Sequence, residues 1–251
     1  MRMSSQLFVF SRRKPRLHPP TKILHRVNCC TKFTFMVNDP ELPLRERKRR
    51  QTHASIEDHA TRLVLERGLE IVTVEDICTA VGISRRTFFN YVESKNIAVF
   101  GNTPRSPQPE EISEFLHTKH DKLPHALMSL ALNNAFSGEH TDAVLRAELL
   151  RRRKTISQNN PEHVSWSKQK ITLFQRELSA IVVDYFAQHP DLRVLETPAS
   201  VEAEAMVRIV ISAILMGYHQ WTSDETGSYN DLVRACFHAL DVLIAFAKKS
   251  S

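Results

Sequence analysis

Between Gly82 and Lys95 the chain reads GISRRTFFNYVESK. Two adjacent arginines, Arg85 and Arg86, stand among a threonine, two phenylalanines and a tyrosine. A guanidinium can meet phosphate or clasp the O6/N7 edge of guanine, and an aromatic ring can meet a thymine methyl or a sugar. A buried helix would avoid the arginines, and a helix facing only water would avoid the rings. With Ser84 as an N-cap, Arg85, Arg86 and Thr87 fill the first turn, where free N–H groups favour an anion. Phe88 and Val92, four apart, share an inward face. Arg85, Arg86, Phe89 and Asn90 share the outward one, with Tyr91 at its edge. Lys95 opens the next helix and adds a cation beyond the far end. A second basic cluster, RERKRRQT from Arg45 to Thr52, holds five cations in six positions. Arg45, Lys48 and Arg49 in it are candidates for a flexible arm reaching phosphates or the minor groove beside a docked helix. A solvated helix end is the plainer reading of such a run taken alone.

These groups need elements to hold them. The i, i+4, i+7, i+8 spacing of Ile56, Ala60, Leu63 and Val64 predicts a helix running from near Pro43 to a stop at Gly68. Thr73 caps the next, with Glu75 and Asp76 in its first turn and Val74, Ile77, Cys78 and Val81 along one stripe. Gly82 suits the left-handed residue that ends it. Two short helices joined by a tight turn with glycine form a helix-turn-helix. A proline-rich loop follows at 101–109. Helical patterns then cover roughly 110–119, 123–136, 140–158, 162–188, 199–222 and 229–248, with boundaries good to ~2–4 residues. Strand signals and internal repeats are absent, so the fold class is all-α.

Charge placement limits what the net +6 means. Residues 1–40 carry eight Lys/Arg against one Asp/Glu, residues 41–101 carry ten against nine, and residues 102–251 carry sixteen against eighteen. The global basicity therefore sits in the first forty residues, and a case for nucleic acid must rest on local placement. Those forty residues, with SRRKPRLHPPTK, read as a disordered basic extension. Met36 makes a natural alternative start, and a tail adding non-specific DNA affinity is the functional alternative. No apolar run approaches the ~20 residues of a membrane span. Cys29, Cys30, Cys78 and Cys236 show no metal or disulfide-framework spacing, which fits a reducing compartment. His117, His120 and His125 cluster without a third ligand fixed by spacing, so no metal is expected. No nucleophile–base pair, Gly-rich phosphate loop or H-E-x-x-H motif points to an enzyme, and no cofactor is called for.

The stretch ERGLEIVTVEDICTAVGISRRTFFNYVESK resembles the DNA-binding domain of TetR-family transcriptional regulators, in particular the actinobacterial type. Gly68, Thr73–Val74, Ile77, Ala80, Gly82, Ser84, Thr87, the aromatic pair and Ser94–Lys95 carry the resemblance. It covers about a quarter of the chain. Phe89 stands where tyrosine is frequent, and Val92 where phenylalanine is. The resemblance implies a three-helix DNA-binding domain over 41–101 and a C-terminal domain over 102–251 that binds a small-molecule effector and forms a homodimer. Thr87, Tyr91 and Lys95 would touch phosphates, and Arg85, Arg86 and Asn90 would face bases or backbone. Thr73, Ser84 and Phe89 complete the expected DNA surface. Leu127, Leu130, Phe136, Trp166, Phe174, Leu178 and Met216 would line the effector pocket, with ordinary core packing as the plainer role. Met206, Ile209, Val210, Ala213, Ile214, Gly217, Leu232, Cys236, Ala239 and Leu243 would form the dimer interface, or else face the protein's own core. The basic run Leu149–Gln158 reads as a solvated face, with attraction of an anionic ligand as the lesser reading. The implied function is a cytoplasmic, nucleoid-associated repressor that binds a palindromic operator in double-stranded DNA. The alternative is an all-helical interaction or ligand-carrier protein that no longer reads DNA.

Overall fold

The computed structural model describes residues 43–101, 104–136, 142–161, 164–224 and 226–249, and for 164–167 only the backbone. The expectations for residues 1–40, and for the side chain of Trp166, lie outside the described residues. Among the described residues every regular element is helical: α1 (Leu44–Arg67), α2 (Val74–Val81), α3 (Arg85–Tyr91), α4 (Lys95–Phe100), α5 (Pro109–His117), α6 (Leu123–Ala135), α7 (Ala143–Asn159), α8 (Val164–Gln188), α9 (Ala199–Thr222) and α10 (Tyr229–Lys249). The 3₁₀ turn Pro190–Leu192 links α8 to α9.

The start and stop signals act as local chemistry requires. Thr73 and Asp76 form a reciprocal capping box at α2: the Asp76 N–H donates to Thr73 Oγ1 at 3.1 Å and the Thr73 N–H donates to Asp76 Oδ2 at 2.8 Å. Gly82 closes α2 with φ 76°, the left-handed region an L side chain avoids. Ser84 then caps α3 by accepting the Thr87 N–H at 3.0 Å. A short helix the periodicity did not delimit, α4, is capped by Ser94. One core binds α1 to α4: Ile56, Ala60, Val64, Leu69, Val72, Ile77, Phe88, Val92, Ala98 and Val99 are buried together, and Ile156 of α7 joins them.

Farther along, α9 packs on α10, α8 and α6. Gly217 sets the α9–α10 approach, since a Cβ there would lie 2.5 Å from the backbone nitrogen of Cys236. The residues expected at a dimer interface or in the protein's own core divide here. Val210, Ala213, Ile214, Gly217, Leu232, Cys236 and Ala239 are buried within this one protomer. An apolar stripe seals its own neighbour first, and stripe width does not tell the two uses apart. Met206 and Leu243 are half-buried and Ile209 is exposed. The outward apolar surface of the pair holds Ile209 of the expected set together with Val201 and Leu215 on α9 and Val242 and Phe246 on α10.

Candidate nucleic-acid interface

α3 is divided as its spacing requires. Phe88 is fully buried and Val92 nearly so, although Val92 has already left the helix as its extended C-cap. Phe89 is 46% exposed. Its ring stands edge-on to Phe88 at 5.3 Å, and the Arg85 guanidinium lies 5.7 Å from its centre. The exposed phenylalanine thus has protein support on one side and an open face on the other. Arg85 Nη1 also donates to Glu75 Oε1 at 2.7 Å. Arg86 and Asn90 are exposed, and neither side chain has a hydrogen-bond or ion-pair partner among the described residues. The Thr87 hydroxyl lies 2.8 Å from Ser84 Oγ, so the cap residue and the first-turn threonine hold each other.

The basic cluster of α1 is helical from Leu44, which corrects the expectation of a flexible arm. Glu46 accepts from Arg49 Nε and Arg50 Nε, each at 3.0 Å. These bonds, the one from Arg49 first, hold the Glu46 carboxyl below the usual carboxylate range. Arg45 and Lys48 remain exposed. Pro43, Arg45, Glu46, Arg49, Asn90 and Tyr91 line one cleft between the start of α1 and the end of α3, so the two clusters read from sequence share one surface.

Two residues expected at DNA also make bonds within the protein. Lys95 Nζ donates to the Leu69 and Val72 carbonyls at 2.7 and 2.9 Å, stapling α4 to the α1–α2 loop. Two carbonyls in a turn attract an ammonium with three donors, and nothing in the lysine's own spacing shows where those carbonyls lie. Thr73 is exposed, but its hydroxyl donates to Asp76 Oδ2 at 2.6 Å inside the capping box. Glu75 was legible only as a helix-start charge; its link to Arg85 spans ten residues and a turn.

The basic run of α7 is the largest correction to the sequence reading. It is no solvated face. Arg152 Nη1 donates to Asp58 of α1 at 2.6 Å. Arg153 donates to Glu57 of α1 at 2.6 Å and to the Val99 carbonyl of α4 at 3.1 Å. Arg151 stacks on Trp221 at 4.2 Å and donates to the Asp224 carbonyl, while Lys154 donates to Thr222. Four consecutive residues span most of a helical circumference, and here they tie α1 and α4 to the far end of α9.

Leu127, Leu130, Phe174 and Leu178 are buried in the C-terminal helices, Met216 is half-buried, and Phe136 stacks on Tyr218 at 5.6 Å. The three histidines diverge: His117 Nδ1 meets the Ser113 carbonyl, His120 Nε2 the Phe115 carbonyl, and His125 Nε2 Asp241. Among the described residues no group of three His, Cys, Asp or Glu is placed to hold a metal, and no helix is long and apolar enough to cross a membrane.

Fold and surface together define an all-helical protein whose helix-turn-helix presents arginine and an aromatic ring outward from a buried anchor. No family model matches the chain. It is similar to a Mycobacterium tuberculosis (strain ATCC 25618 / H37Rv) protein whose name proposes it as the mycofactocin biosynthesis transcriptional regulator MftR. The two are 27% identical over 197 residues, which cover 76% of this chain and 90% of that protein.

Proposed function

We propose that the protein is a transcriptional regulator of the TetR type, a repressor that binds a palindromic operator in double-stranded DNA as a homodimer. The observation that carries this reading is the outward face of α3. Arg86, Phe89 and Asn90 are exposed on a helix that Phe88 anchors in the core, beside the exposed Arg45 and Lys48 of α1. A helix of this kind suits the major groove, with flanking cations on phosphates. The similarity to a protein named as a transcriptional regulator supports the same class. In this reading residues 41–101 bind DNA and residues 102–251 bind an effector and dimerise. An effector among the C-terminal helices weakens DNA binding only by favouring the conformation that does not fit the operator. The α7 cations give that preference a physical route to α1 and α4.

An interaction or carrier protein is the second reading. It draws on the carboxylates already bound to Arg49, Arg50 and Arg85, which leave fewer cations for phosphate. A mobility-shift assay on a pool of genomic duplexes, repeated across a salt series, separates the two. The repressor reading expects selected fragments whose affinity falls steeply with salt. Absence of any selected fragment at moderate salt would sink it.

A further inference from the structure

Glu75 is the carboxylate that meets the first arginine of α3. It lies in the first turn of α2, with its side chain 60% exposed, and its Oε1 accepts from Arg85 Nη1 at 2.7 Å. That guanidinium lies over the outer ring, Phe89, at 5.7 Å, and Phe89 stands on the wholly buried Phe88 at 5.3 Å. A continuous line of side chains therefore runs from the core through Phe88, Phe89 and Arg85 to Glu75. The neighbouring Arg86 has no such restraint. The two arginines are prepared differently. A guanidinium that swings freely near a duplex is drawn to the nearest phosphate, a contact that carries no sequence information. One held at a single edge by a carboxylate keeps its other N–H groups for a base.

We infer that Glu75 is a positioning residue that sets DNA sequence selectivity through Arg85. The carboxylate keeps Arg85 off the phosphates and in place over Phe89. The pair then offers a guanidinium edge to guanine O6/N7 and a ring face to the methyl of an adjacent thymine. The inference rests on the DNA-binding reading above. It assigns a purpose to the phenylalanine that replaces the frequent tyrosine: the ring carries a cation and a methyl contact, and neither needs a hydroxyl.

An exposed ion pair of this kind contributes little to folding, so Glu75→Gln leaves thermal unfolding within the scatter of wild type. Its effect belongs to selectivity. Full-length protein is used to select duplexes from a random-sequence pool, and dissociation constants are then measured for the best selected duplex and a scrambled one. Glu75→Gln is expected to bind the scrambled duplex more tightly and to lose about tenfold in the ratio between the two. With Arg85 released to a phosphate, the scrambled-duplex salt slope steepens by about 0.9. Arg85→Ala and the double variant Glu75→Gln/Arg85→Ala should show the same ratio, because Glu75 acts only through Arg85. A wild-type ratio retained by Glu75→Gln overturns the inference while leaving DNA binding intact. A wild-type protein that selects no sequence overturns the DNA-binding reading itself, and this inference with it.

Discussion

Arg86 and Arg85 are adjacent in sequence and opposite in circumstance. Arg85 is tied to Glu75 and Phe89, whereas Arg86 reaches solvent with no partner among the described residues. In the proposed complex the unrestrained Arg86 goes to a phosphate, so Arg86→Ala should weaken binding about equally on every duplex and lower the salt slope by about 0.9. Dissociation constants across a panel of single-base variants would check this. A loss confined to one base position would reassign Arg86 to base reading. The sequence disclosed the inward Phe88 and outward Arg86, because four-residue spacing on a capped helix fixes their faces. It did not disclose the fate of Arg85 or Lys95. Their partners, Glu75 and two loop carbonyls, are brought near by the turn and by tertiary packing, and periodicity contains neither.

At the scale of elements, α7 shows the same limit more sharply. Its helix was legible to within three residues at each end, but its basic run looked like any charged face. In the fold Arg153 has a side chain only 14% exposed, paired with a Glu57 that is 6% exposed. Arg153→Ala takes the guanidinium away from this buried carboxylate, with the His53 ring remaining at 3.8 Å, and the expected loss is ~3 kcal/mol. Denaturant unfolding should show it clearly beside Arg208→Ala. The exposed Arg208–Glu204 pair on α9 should cost no more than ~0.5 kcal/mol. Equal midpoints for the two variants would remove α7 from its role as a tie between elements. Gly101 belongs to the same tie: its φ of 81° and the Arg153 guanidinium carbon 2.9 Å from where a Cβ would sit both favour glycine. Helix starts carry a pH signature. The Asp231 carboxyl, which accepts from the Ser228 hydroxyl and N–H and then from Arg234, is held down to about 2. Asp76 is lowered in the same way by Thr73. A depressed folded value means that the stabilisation is complete above the ordinary 3.8 and is lost as pH falls from there through about 2. Asp231→Asn should therefore flatten the acid limb of the stability curve in that window, followed by circular dichroism. An unchanged limb would exclude Asp231 as a contributor.

For the whole molecule, the question is what the outward side of α9 and α10 is for. The residues that the sequence marked as an interface are mostly the mortar between these two helices, with Gly217 letting their backbones close to contact. What remains exposed is a second apolar set. Val201 and Leu215 are 51% and 53% exposed, and their positions fall within about 40° of each other around the helix. Fourteen residues at ~1.5 Å each separate them by about 21 Å along α9, enough to span a helix-on-helix contact between two copies. A two-fold related copy would cover the same patch on both partners. Operator binding then gains because the second head engages a duplex the first already holds. The double variant Val201→Lys/Leu215→Lys places like charges opposite one another across that axis while leaving the buried seam untouched. It is expected to run at half the wild-type mass by light scattering, to keep the wild-type unfolding profile at low concentration, and to lose about 100- to 10,000-fold in operator affinity. A variant that keeps the wild-type dimer mass would move the interface away from this face of α9.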